Sequence, residues 1–220
     1  MNETVIDGLQ ITWTPGVYPP ASDTELLLEW IRQNPPAGDV LELCTGTGTL
    51  ALAAARTARS VTAVDRCPHA VATVDRNAAR NHAAVAVHLG DLFGPVVDRQ
   101  FDLILANPPY MPTPQTGGGI RSDTWDAGWA GRAVLDRIAG QAAGHLRPSG
   151  RILVVQSAFA DDARTATLLA AAGLAVRTVE RRVQSLGPVS RARTDHLEAL
   201  GVLDPAAPAD ELVLLEGRRP

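Results

Sequence analysis

The chain has 220 residues, 45% of them hydrophobic and 20% charged, with a formal net charge of −4. That length fits one domain able to bury about 70% of its unfolded surface, and the acidic balance argues against broad, sequence-independent nucleic-acid binding, which needs a basic face. Two cysteines without CxxC spacing signal neither a disulfide framework nor a zinc site, so no metal is expected. No apolar run approaches the ~18 residues of a membrane span. Met1-Asn2-Glu3 lacks a basic secretory region, so a cytoplasmic location without membrane contact is expected.

In chain order, a short segment at 9–13 leads to Pro15-Gly16-Val17-Tyr18-Pro19-Pro20. Ser22 or Asp23 is placed to cap a helix carrying Leu26, Leu27, Trp30 and Ile31. From there strands and helices alternate. Strands are predicted at 40–43, 61–64, 85–89, 101–106, 151–156, 174–180 and 211–216. Helices are predicted at 50–58, 70–81, 129–146 and 161–172, with a turn at Pro148-Ser149-Gly150. Residues 111–126 read as a long irregular stretch, and long loops in compact domains tend to be functional. Such alternation predicts an α/β fold, a doubly wound, mostly parallel sheet with helices on both faces. Residues 1–36 are expected to cover the ligand site of a domain formed by 37–220.

Asn107-Pro108-Pro109-Tyr110 follows the apolar run 101–106 directly, at a strand's carboxyl end, where open α/β sheets bind ligands. Two prolines fix φ, keep Asn107 out of the helical region and remove two donors. The motif therefore presents an amide side chain, a rigid acceptor carbonyl and an aromatic ring, a set suited to a planar group bearing N–H bonds. Upstream, Glu42-Leu43-Cys44-Thr45-Gly46-Thr47-Gly48-Thr49 joins the first strand of the alternation to its helix; the glycines allow a tight turn and close approach to a ligand. Asp65, next to Arg66, ends the second strand, where a carboxylate can hold both hydroxyls of a ribose. Asp91 with Leu92 follows the third, placed to accept from an adenine amino group and pack on the ring. Read as a charged carboxylate, Glu42 repels a pyrophosphate and suits a ligand with an ammonium, a sulfonium and no phosphate. S-adenosyl-L-methionine is such a ligand.

With these residues in place, the chain resembles class I S-adenosylmethionine-dependent methyltransferases, and among them the HemK-type protein glutamine N5-methyltransferases that modify release factors, in their short archaeal and eukaryotic-like branch. Tyr18-Pro19-Pro20-Ala21-Ser22-Asp23-Thr24 resembles that branch's opening motif, and Trp125-Asp126-Ala127-Gly128 with Gly131-Arg132 resembles the segment after the active-site loop. The resemblance implies a Rossmann-like, seven-stranded sheet. It implies cofactor contacts from Tyr18, Thr24, Glu42, Thr45, Gly46, Gly48, Asp65, Arg66, Asp91, Leu92 and Asn107. Asn107, Pro108, Pro109 and Tyr110 become the catalytic motif, with Tyr110, Trp125 and Asp126 against the substrate. A release factor is then the expected protein substrate, and a small zinc-containing activator subunit, as used by eukaryotic relatives, an expected partner.

Cys44 departs from the family's glycine at the loop's start, and residues 184–208 have no counterpart; a substrate-specific cover is one reading of them. Base-modifying nucleic-acid methyltransferases share Asn-Pro-Pro-Tyr but want a basic groove, and a small-molecule N-methyltransferase is a further alternative. The five histidines carry no predicted role. Arg177, Arg181, Arg182, Arg191 and Arg193 are read as a solvated, ion-paired face rather than an RNA contact. Trp13 is a possible cleft residue.

Overall fold

A computed structural model describes residues 1–114 and 127–220. Its elements are β1 (Asn2–Ile6), β2 (Leu9–Trp13), α1 (Ser22–Gln33), β3 (Asp39–Leu43), α2 (Thr49–Ala54), β4 (Ser60–Asp65), α3 (Pro68–Arg80), β5 (Ala86–Leu89), β6 (Phe101–Ala106), α4 (Leu135–Gln141), β7 (Leu146–Ser157), α5 (Asp162–Ala171), β8 (Ala175–Ser185), α6 (Pro188–Arg191), α7 (Thr194–Ala199) and β9 (Ala209–Arg218).

Seven strands form one sheet in the order β5-β4-β3-β6-β7-β9-β8. The pairs β3–β4, β4–β5, β3–β6 and β6–β7 are parallel. Only β9 runs against its neighbours β7 and β8. The strand order reverses beside β3, so the crevice above β3 and β6 is the topological switch point of the sheet.

Two cores follow from the two-residue period of the strands. Val40, Leu103, Leu105, Leu153 and Val155 face α1, α2 and the N-terminal hairpin. Leu41, Leu43, Ile104, Ile152 and Val154 face α4 and α5. Both faces of the sheet are therefore dry and covered by helices, as a parallel sheet requires. No helix among the described residues is long and apolar enough to cross a membrane.

Four predicted elements change. The segment at 9–13 is half of a hairpin with β1, turned by Asp7 (φ 50°) and Gly8 (φ 73°), both left-handed as a tight two-residue turn demands. The helix expected from Trp129 begins only at Leu135, since Gly128 and Gly131 both hold positive φ. The turn predicted at 148–150 is an irregularity inside β7: pairing passes from Phe101↔Leu146 to Leu103↔Arg151, with Ser149 at φ 64°. β8 runs on to Ser185, and residues 184–208 hold α6 and α7. The basic residues of β8 are ion-paired as expected: Arg177 with Glu216, Arg181 with Asp162 and Glu211, Arg182 with Glu29 and Glu180.

Candidate active site

The carboxyl ends of β3, β4, β5 and β6 open on a cavity of about 560 Å³. It is lined by the loops that follow those strands, by Tyr18, Asp23 and Thr24 from the segment before and into α1, by Arg137 of α4 and by Val189 of α6. Among the described residues no cluster of His, Cys, Asp and Glu could hold a metal ion.

The β3–α2 loop is held from below. Glu42 is buried, and its Oε2 accepts from Thr45 Oγ1 (2.5 Å) and from the Ala51 N–H (3.0 Å). Burial pushes its carboxyl up to about 8, with Asp65 nearby adding to the effect of desolvation. From sequence Glu42 reads as a standing negative charge; in the folded chain burial favours its neutral form. Cys44 (φ 55°), Gly46 (φ 52°) and Gly48 (φ 77°) take left-handed backbone through the turn. Gly46 borders the cavity, whereas Gly48 does not: a Cβ there would sit 2.8 Å from Val74 Cγ1. Gly48 thus also serves the packing of α2 against α3.

Asn77 of α3 ties this loop to the hairpin. Its Oδ1 accepts from Thr12 N (3.0 Å) and Thr12 Oγ1 (2.8 Å), while Nδ2 donates to Thr12 O and Thr47 O, both at 2.9 Å. All four hydrogen bonds of a fully buried amide are satisfied.

Asp65 accepts from Gly46 N on one oxygen and Cys67 N on the other, each at 2.9 Å, and from the Arg66 backbone N–H as well, which holds the carboxylate at the cavity wall, where burial raises its carboxyl above the ordinary range. Asp91 is engaged bidentately by Arg137 (3.2 and 2.5 Å), and that hydrogen bond holds its carboxyl below the ordinary range. Leu92 (φ 49°) and Arg66 complete this end.

At the other end stand Asn107, Pro108, Pro109 and Tyr110, all lining the cavity. Asn107 Nδ2 points at Thr24 Oγ1 (3.5 Å). Tyr110 donates to Asp23 Oδ2 (2.8 Å), and Tyr18 reaches the same oxygen at 3.5 Å. Burial, with Asp23 adding to it, lifts both phenols above their usual range, so both stay protonated. Asp23 is not the cap expected from sequence: the N-cap is Ala21, and Asp23 turns inward, its Oδ1 taking Thr24 N at 2.6 Å.

Behind the motif, Thr113 N donates to Gly128 O (3.0 Å) and Ala127 N to Met111 O (3.4 Å). Gly131 lies under Tyr110: a Cβ there would fall 2.3 Å from the Tyr110 carbonyl oxygen. Arg132, nearly buried, donates to Thr165 Oγ1 (2.7 Å), Asp136 Oδ1 (2.6 Å) and the Ala160 carbonyl, anchoring this segment on α5. Trp125 and Asp126 lie outside the described residues, and Trp13 packs on the hairpin-side core rather than in the cavity. Asp23, Arg137 and Val189 were not foreseen. Asp23 had a signal, its place beside Thr24 in the opening motif; Arg137 and Val189 had none, because α4 and α6 reach the cavity only through tertiary packing.

A seven-stranded sheet with one antiparallel strand, a glycine loop after its first strand and Asn-Pro-Pro-Tyr after its fourth define a class I methyltransferase. Solved structures agree on the fold. The E. cuniculi Mtq2 in its Trm112 complex, responsible for methylation of the eRF1 termination factor, superposes with a TM-score of 0.63 at 18% identity, over 93% of this chain and 99% of that one. The T. thermophilus 16S rRNA N2 G1207 methyltransferase RsmC, solved with AdoMet and guanosine, gives 0.64 at 20% identity over 100% of this chain and 50% of that one.

The methyltransferase small domain family matches residues 9–183, and the chain belongs to it. A Methanocaldococcus jannaschii protein assigned as a protein N5-glutamine methyltransferase is 33% identical over 80% of this chain and 90% of its own length. The release factor glutamine methyltransferase of Geobacter sulfurreducens is 36% identical over 67% of this chain. The chain spans 55% of that bacterial relative's length.

Proposed function

We propose that this chain is an S-adenosylmethionine-dependent N-methyltransferase that methylates the glutamine side-chain amide of a peptide chain release factor, in the cytoplasm. One observation carries the reading: the Asn107–Tyr110 motif opens on the same cavity as Glu42, Asp65 and Asp91, so an amide and a nucleoside-bearing methyl donor can share it. The donor set fits that cofactor. Asp65 presents its carboxylate to the cavity where a ribose would bring its hydroxyls, Leu92 offers an apolar face to the adenine, and Glu42 can take up charge beside an ammonium. Tyr18, Thr24, Thr45, Gly46, Gly48, Arg66, Asp91 and Asn107 complete the contacts. Residues 1–36 act as a cover on the domain formed by 37–220, through Tyr18, Asp23 and Thr24.

Bound S-adenosylmethionine supplies an electrophilic methyl on a sulfonium. The chain's part is to make a poor nucleophile adequate, since an amide lone pair is delocalised into its carbonyl. Asn107, with Nδ2 turned to Thr24, has Oδ1 left to accept one N–H of the target amide. The Pro108 carbonyl accepts the other, and its neighbour Pro109 offers no N–H in competition. Two fixed acceptors orient the lone pair and favour positive charge on nitrogen, the kind of preorganised stabilisation that supplies most of such a barrier reduction. Tyr110, tethered by Asp23, flanks the amide, and we assign Trp125 and Asp126 to the substrate side, Asp126 as an aid to proton loss.

The paired arginines of β8 leave that face without a standing basic groove, which favours a protein acceptor over a nucleic acid. We place a small zinc-containing activator on the open sheet edge at β5, where Leu89 is 56% exposed. Co-expression with such a subunit that alters neither yield nor turnover removes this part. The main test incubates the protein with labelled S-adenosylmethionine and, separately, release factor, RNA, DNA and extract metabolites. Label on the release-factor glutamine supports the reading; label only on a base or a metabolite overturns it.

A further inference from the structure

Val189 is the one described cavity-lining residue that comes from beyond Arg137. It stands on α6, beyond residue 183, where the match to the family ends. That stretch is not a loose flap. Leu186, Leu197 and Leu203 close a third apolar cluster with Met111 and Phe159, and both Tyr110 and Val189 pack against it. His196 fixes α7 to the segment after the motif: its Nε2 lies 3.0 Å from Trp129 O, and the two rings meet edge-on at 4.5 Å. The tyrosine of the motif therefore shares a small rigid core with residues 186–203.

Resting on the glutamine reading above, we propose that residues 186–203 form the acceptor-side wall of the site and that Val189 is its specificity-determining residue. Where it borders the cavity, at Val189, the wall is aliphatic and its side chain offers no hydrogen bond. Polar atoms at this end come from Asn107, the Pro108 carbonyl and Thr24, and from Asp23, Tyr18 and Tyr110, whose hydroxyls already engage the Asp23 carboxylate. A flexible methylene stem rests on Val189 without loss, whereas a flat base brings ring nitrogens that the wall leaves unpaired, a heavy desolvation cost. An amide on a shorter stem reaches the two acceptors only by leaving the wall.

The test measures kcat/KM with two release-factor peptides that differ only in Gln or Asn at the target position, and with a single-stranded adenine oligonucleotide. One methylene in an apolar pocket is worth about 10- to 200-fold in such a ratio. Wild type is expected to favour Gln within that range and to leave the oligonucleotide unlabelled. Val189→Ala, which slackens the wall, and Val189→Leu, which crowds the longer stem, should each lower the Gln/Asn ratio by about tenfold, with S-adenosylhomocysteine binding by calorimetry reporting an intact fold. A ratio within twofold of wild type in both variants, with normal calorimetry, overturns the wall assignment and leaves the glutamine reading standing. A wild-type protein that labels the oligonucleotide and not the glutamine peptide overturns both.

Discussion

Tyr110 and Asp23, 87 residues apart in the chain, meet through a 2.8 Å hydrogen bond between a strand-end motif and the first turn of α1. This contact ties the N-terminal segment to the ring that flanks the acceptor. Removing the hydroxyl in Tyr110→Phe leaves a buried carboxylate one donor short, a change of about 1–3 kcal/mol. Turnover is expected to fall roughly tenfold to a hundredfold. Asp23→Asn should fall similarly, and the double variant no further than the worse single, because the two act as a unit. Additive losses in that cycle would show that the pair does not cooperate.

Glu42 gives the empty protein a pH dependence with a definite sign. Its carboxyl sits at about 8 folded against an ordinary 4.5, so between those values the native state holds more proton than the unfolded one. Stability from this group is complete below pH 4.5 and is lost as pH rises through 8. Glu42→Gln keeps an acceptor for Thr45 and Ala51 and removes the slope, so its advantage should grow on the order of 5 kcal/mol across that window. Urea unfolding at pH 5, 7 and 9 checks this; parallel curves for the two proteins would refute it.

Gly131→Ala should injure the acceptor end without touching a ligand. The position holds φ +72°, and a methyl group there meets the Tyr110 carbonyl. The left-handed backbone alone costs about 1–2 kcal/mol, and relief of the clash must move Tyr110. Thermal denaturation should show the loss, and kcat should drop more than the affinity for S-adenosylhomocysteine. Unchanged kcat would mean the segment under Tyr110 yields freely.

Asn77→Ala removes four hydrogen bonds at once and leaves Thr12 and Thr47 groups unpaired. About 3–5 kcal/mol of stability should go, since each buried orphan costs about 1–3 kcal/mol. Hydrogen exchange at residues 9–13 should quicken well before that of β3 and β4. Exchange that quickens equally everywhere would show the hairpin is not a separable unit.

Much of the sheet could be read in the chain because β3, β4 and β6 are apolar on both faces and each is followed by a residue with chemistry to offer. Glu42, Asp65, Asp91 and Asn107 stand in sequence where the strands put them in space. The misses have physical sources. Asp7-Gly8 is a strong hairpin signal, but β1 is exposed and polar, so its pairing left no hydrophobic pattern. The charge on Glu42 follows from burial, which no spacing reveals. Arg137 and Val189 reach the cavity from helices whose placement depends on the whole fold.

The position of β9 has a consequence for how the molecule is made. It leaves the ribosome after β7 and β8, yet it belongs between them, pairing Arg151–Ser157 on one side and Ala175–Ser185 on the other. Until it emerges, β7 presents a bare apolar margin of Ile152, Leu153, Val154 and Val155, a template for wrong pairing. A nascent chain halted before Ala209 should therefore be chaperone-bound and protease-sensitive, and the release of ten further residues should convert it at once.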